Sequence, residues 1–350
     1  MENYTGPTPG NNDEEALVPG EEGITTAGTS AADTAPVLPK YEKKDQATNI
    51  WLRSFVSLAA YLVLGFYIFP SPKILLLITA IVMIHELGHF FAMKFFGYND
   101  LGIFFIPLLG AYVSGTKREI SQRQSAIILL AGPLPGIIIG ALLFLWWQNN
   151  PLAFFWGIPV YTIAIAFLLL NLINLVPVYP LDGGQLLNRV FLDEESWISK
   201  GFILLSIGAL VWIALFAFAK PSYPLLLFPA MMILRLFGDK KINSIEKRIE
   251  EAGINTDLEY KDLPDEDYWK IRNILIEEHP SFRDVDPAPP YVYSEKEDKI
   301  MTMVQNLLHR HLIQDVSVAG KIIILLIWAT AIASPWLLNM QTLLLQRLGL

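Results

Sequence analysis

The sequence predicts an α-helical polytopic membrane protein: about six to seven transmembrane helices, a membrane-dipping β-hairpin and a small helical cytoplasmic unit. Three observations carry this. Of 350 residues, 53% are hydrophobic and only 17% are charged, where soluble domains carry about 25% charged. The mean hydropathy is +0.40. The apolar residues also fall in runs of spanning length, broken by short polar or proline-marked stretches.

The elements follow in order. Residues 1–45 are rich in Gly, Pro, Ala, Thr and Glu, lack apolar periodicity and read as a disordered acidic tail. No cleavable signal peptide is expected, because this end is polar. Spans are expected near 51–69, 72–96, 122–147, 153–176, 199–219, 221–237 and 319–343; the sixth is short and proline-interrupted. Between the second and third lies "LGIFFIPLLGAYVSG", residues 101–115. It is apolar but too short to span, and Pro107, Gly110 and Gly115 favour a re-entrant hairpin covered by protein. Residues 46–237 form the expected transmembrane core, 238–318 a helical cytoplasmic unit and 319–350 a C-terminal transmembrane segment. Within 238–318, "INSIEKRIEEAG" stops at Gly253, while "DEDYWKIRNILIEEH" and "SEKEDKIMTMVQNLLHRHLIQ" carry helical apolar spacing.

Charge sets orientation and excludes one partner class. The net charge of −8 comes mostly from the ends: 9 acidic residues lie in 1–45, 18 in 238–318 and 7 between them. With no basic patch, nucleic acid is excluded as a partner. Lys and Arg collect on the flanks that face the cytoplasm when the N-terminus is inside, which puts that end and residues 238–318 in the cytoplasm of a multi-pass protein, with the cell membrane as the expected bilayer. There is no cysteine, so disulfide and thiolate chemistry are excluded.

The chemistry concentrates in "MIHELGHFF", residues 83–91. His85 and His89 are four apart and share one helical face. Two imidazoles at that spacing can hold Zn²⁺, and Glu86 beside them can act as general base on a zinc-bound water. Ionisable groups are costly and functional in a membrane helix. A zinc site needs a third ligand. His279, His309 and His311 sit in the polar 238–318 region, so Asp182 in "NLINLVPVYPLDGGQLL" is the better candidate. Pro177 and Pro180 break the fourth span there, and Gly183 and Gly184 let the chain turn after the carboxylate.

"HELGH" in one span and "NLVPVYPLDGG" at the end of a later one resemble the site-2 protease family of intramembrane zinc metalloproteases, over roughly residues 50–237. The resemblance implies His85, His89 and Asp182 as zinc ligands, Glu86 as catalytic base and Asn174 as a substrate-positioning residue. "FFIPLLGAYV" is similar to the family's membrane-dipping hairpin. "AGPLPG", residues 131–136, resembles a family GP motif often followed by asparagine, but Gly136 stands near that place. The function implied is a zinc-dependent endopeptidase that cleaves transmembrane segments of single-pass membrane proteins, as in regulated intramembrane proteolysis. The competing readings are a catalytically silent scaffold of the same fold and a metal or proton transporter.

Overall fold

The computed structural model describes residues 36–42, 49–69, 71–107, 110–117, 120–192, 196–217, 221–308 and 312–340. The expected tail at 1–35, together with His309 and His311, lies outside them.

The first two helices, α1 (Ile50–Ile68) and α2 (Pro72–Phe95), are both long and apolar enough to cross a membrane. The Asn49 side chain caps α1 by accepting from the Leu52 amide. Pro72 opens α2, where a missing N–H costs nothing. Trp51, Phe55, Val63 and Phe66 stand exposed along α1, as a lipid-facing surface requires.

Strands β1 (Asn99–Ile106) and β2 (Gly110–Thr116) pair antiparallel, with Ile103 opposite Val113 and Phe105 opposite Ala111. The Phe105 amide donates to Ser57 Oγ on α1, so at this pair the backbone groups point out of the ladder. β1 is thereby held against α1. The outer edge of β2 pairs with no other strand among the described residues.

The expected third span is two helices, α3 (Gln122–Ala131) and α4 (Pro133–Asn149). Ser121 caps α3, Gly132 divides the pair and Pro133 opens α4. The two-residue strand β3 (Ile120–Ser121) precedes α3. The fourth span is shorter than expected. Strands β4 (Phe154–Phe155) and β5 (Ile158–Pro159) form a tight turn through Gly157, whose φ of +75° suits glycine. They leave α5 (Val160–Asn174) with only 15 residues.

Beyond α5 come the short α6 (Asp182–Leu186), α7 (Trp197–Phe216) and α8 (Leu227–Glu251). The expected boundary at 237/238 falls inside α8, which runs unbroken from apolar to polar sequence; its Ile245 and Ile249 are fully buried in the polar unit. That unit is completed by α9 (Asp265–Glu278) and α10 (Glu297–Leu307), around Tyr268, Trp269, Leu275 and Ile300. The buried Arg272 and Glu297 pair at 2.9 Å inside it. After α10, strand β6 (Leu312–Ile313) pairs with β3, and α11 (Val318–Leu337) returns to the apolar core. In all, the described residues contain five helices of membrane-crossing length and composition, counting α3 and α4 as one, with α5 and the 223–238 segment apolar but shorter. The protein is a multi-pass integral membrane protein.

Residues 36–42 differ from the expected disordered tail: they lie against the polar unit, where the Trp269 indole donates to the Leu38 carbonyl. Composition showed their lack of periodicity, but not the aromatic surface that receives them.

Candidate metal centre

The site assembles from five helices, α2, α3, α4, α5 and α6. α2 supplies His85, Glu86 and His89, all buried. α6 supplies Asp182 at its first residue. Gly183 and Gly184 are needed here because α6 packs on the loop before it. A Cβ at Gly183 would overlap the Leu175 carbonyl, and one at Gly184 the Val178–Tyr179 peptide. α3 and α4 pass close to α2, because Gly88 and Gly132 let the backbones touch; a Cβ at Gly88 would overlap the Ala131 carbonyl, and one at Gly132 the His89 ring.

Three donor atoms converge. His85 Nε2 lies 3.0 Å from Asp182 Oδ2, His89 Nε2 lies 3.4 Å from the same oxygen, and the two Nε2 atoms are 3.1 Å apart. The opposite ring nitrogens show what these atoms carry. His89 Nδ1 is 2.8 Å from the Ile128 carbonyl oxygen, which can only accept, so Nδ1 bears the proton. His85 Nδ1 is 2.9 Å from Asn171 Oδ1. Asn171 Nδ2 donates to the Phe167 carbonyl at 2.7 Å, which fixes the amide with its oxygen toward His85. His85 therefore also donates from Nδ1. In their neutral forms both histidines turn a bare Nε2 lone pair toward a carboxylate oxygen. That oxygen is buried and makes no hydrogen bond of acceptable geometry among the described residues. With both imidazoles neutral, three lone-pair atoms converge, an arrangement that fits a cation, and the donors lie within 4.8 Å of one another. Nitrogen and carboxylate donors of this kind suit a divalent transition metal or zinc.

The group opens into a cavity of about 1220 Å³. Glu86 lines it, as do Ala111 and Val113 of β2, Asn174 and Ser125. Asn174 is half-buried and its amide bonds back to Leu170 of its own helix. His279 is remote in role, capping a turn through the Ser281 amide. Asn171 is the residue that sequence reading missed. Its signal was present: an asparagine one turn before Asn174, in an apolar helix where an amide needs a partner. Asn171 also accounts for Gly136, since any Cβ there would overlap its side-chain amide. The space left by glycine at 136 is filled from α5.

Membrane-crossing helices around a buried His-His-Asp group define an integral membrane protein with a metal centre. Residues 73–155, which carry His85, Glu86 and His89, match the model of peptidase family M50. The chain is 26% identical over 180 residues to a zinc metalloprotease of Methanocaldococcus jannaschii, covering 51% of this chain and 52% of that protein. It is 32% identical over 124 residues to stage IV sporulation protein FB of Bacillus subtilis, covering 34% and 40%. The chain thus spans about half the length of the first relative and less of the second. Among solved structures it is similar to the site-2 protease from Methanocaldococcus jannaschii, with 22% identity, a TM-score of 0.38 and coverage of 52% of this chain and 88% of that one. Asp182, Asn171 and Asn174 lie outside the family-model match, so their part rests on the geometry.

Proposed function

We propose that the chain is an intramembrane zinc metalloendopeptidase that cleaves transmembrane segments of single-pass membrane proteins. The observation that carries this is the convergence of His85 Nε2, His89 Nε2 and Asp182 Oδ2, with 3.0, 3.1 and 3.4 Å between them, beside a buried glutamate. His85, His89 and Asp182 would hold the metal. Zinc bound there would supply Lewis acidity, lowering the pKa of water toward ~7 and polarising a peptide carbonyl. Glu86 takes the proton from water and returns it to the leaving amine. Asn171 and the Ile128 carbonyl keep both imidazoles in the metal-binding tautomer. Asn174, lining the cavity, positions the substrate chain.

A helical substrate must unwind to present a peptide bond. The free edge of β2 supports a way to hold the unwound segment, by strand addition. From the pairing register, Ala111 and Val113 direct their backbone groups to that edge, and both line the cavity. The Lys and Arg asymmetry supports a cytoplasmic N-terminus and a site nearer the cytoplasmic surface.

The test is direct. The purified protein should contain zinc, and wild type should cleave members of a panel of single-pass membrane proteins that Glu86→Gln leaves intact. Zinc present with no Glu86-dependent cleavage across the panel would overturn the proposal.

A further inference from the structure

The polar unit of α8, α9 and α10 carries a second feature, independent of the metal centre. Residues 36–42, Pro-Val-Leu-Pro-Lys-Tyr-Glu, cross its surface as an extended strip. No backbone–backbone hydrogen bond holds the strip among the described residues, and none of its seven residues is buried. Side chains of the unit read its main chain instead. The Trp269 indole donates to the Leu38 carbonyl at 2.7 Å, the Tyr293 hydroxyl to the Pro39 carbonyl, and the Tyr260 hydroxyl to the Tyr41 carbonyl at 2.6 Å. Asp265 accepts from the Lys40 amide at 2.8 Å. Four residues in succession are thus gripped by their backbones.

Two side chains of the strip are also recognised. The Lys40 ammonium donates to the carbonyls of Lys261 and Leu263 and lies 5.9 Å from the centre of the Tyr260 ring. Tyr41 donates to Asp298 at 2.9 Å and meets the Tyr293 ring edge-on at 5.4 Å. Tyr293 in turn stacks on Trp269. An aromatic face that takes an extended proline-containing segment by main-chain hydrogen bonds, with a cation pocket beside it, is a peptide-recognition geometry.

We propose that this face is a docking site for extended peptides of other proteins with a Leu-Pro-Lys-aromatic core, and that residues 36–42 occupy it in cis. A tethered occupant acts at an effective concentration of about millimolar. A peptide in trans therefore binds well only when it outcompetes the strip or when the strip is weakened.

The experiment uses the full chain in detergent micelles and a fluorescent heptapeptide of residues 36–42. The double variant Lys40→Ala/Tyr41→Ala should bind the heptapeptide at least tenfold more tightly than wild type. Lys40→Ala alone should give a smaller gain in the same direction. Adding Tyr293→Ala to the double variant should remove the gain, and a heptapeptide with its lysine replaced by alanine should bind at least tenfold more weakly. Equal binding to wild type and the folded double variant, or equal binding of a scrambled heptapeptide, would overturn the proposal. So would loss of folding in both Lys40 variants, which would make the strip a structural strap. A wild-type dimer that the double variant loses would overturn the occupancy in cis, because the strip would then be exchanged between copies.

Discussion

Replacing Asn171 with alanine tests the metal centre without touching a proposed ligand. The change removes the acceptor that holds the His85 Nδ1 proton, 2.9 Å away. Two consequences follow. The imidazole loses its orientation, and its two tautomers become closer in energy, so Nε2 carries a proton in part of the population. Loss of such a partner costs about 10–100-fold in metal affinity, or about 1.4–2.8 kcal/mol. A buried donor left unsatisfied costs about 1–3 kcal/mol, which agrees in size. The assay is zinc competition against a chromophoric chelator, with full-length protein in micelles. Asn171→Asp keeps an acceptor at the same reach and should recover most of the affinity, whereas a merely structural role would make it no better than alanine. Gly136→Ala should weaken zinc in the same direction, because its Cβ would displace the Asn171 amide. A folded Asn171→Ala protein with zinc affinity within about twofold of wild type would refute the reasoning, given the 10–100-fold expected.

Glu86→Gln should lower cleavage at least ~100-fold, as expected for loss of a general base, while bound zinc measured by elemental analysis stays unchanged. Ala111→Pro removes one edge donor of β2 and should reduce cleavage with zinc retained; Tyr112→Pro breaks a ladder bond to Phe104 and should also lower the melting temperature. If Ala111→Pro cleaves like wild type, strand addition at this edge is wrong. In the polar unit, burial alone would raise the Glu297 carboxyl, but Arg272, Tyr268 and the Ser294 amide outweigh it and hold the group below the usual range. A depressed folded value means stability that is present above the unfolded value of ~4.3 and is lost as pH falls through the folded one. Tryptophan fluorescence should therefore report unfolding of this unit in acid, and Glu297→Gln should flatten that dependence.

The metal-centre motif was legible because membrane sequence is a quiet background. In α2 a histidine or glutamate has no solvated face to occupy, so His85, Glu86 and His89 stand out at once, and the proline-broken end of α5 points to Asp182. The helix count was less legible. Hydropathy sees 122–147 and 153–176 as single runs, whereas Gly132-Pro133 divides the first and the Gly157 turn shortens the second. Apolar composition survives such breaks, because lipid and protein interiors select the same side chains. Asn171 was passed over because its importance lies in the direction of one amide oxygen, set by a carbonyl one turn back. The strip at 36–42 was hidden for a related reason: an extended segment recognised through its backbone needs no periodicity of its own.

One short helix joins these parts. The N-terminus of α3 is held from the far end of the polar unit: β3 pairs with β6, and Asp315 accepts from the Ser121 hydroxyl and from the Arg123 amide at 3.1 Å. Near its C-terminal end, α3 offers the Ile128 carbonyl to His89 Nδ1. Roughly two turns of helix thus separate the segment that leaves the polar unit from the atom that fixes a histidine tautomer. The contact has little slack, because Gly132 lies against the His89 ring with no room for a methyl group. Asp315 and Ile128 thus mark where α3 meets the segment leaving the polar unit and the metal centre, and α3 has that place because Ser121 caps it and Gly132 ends it.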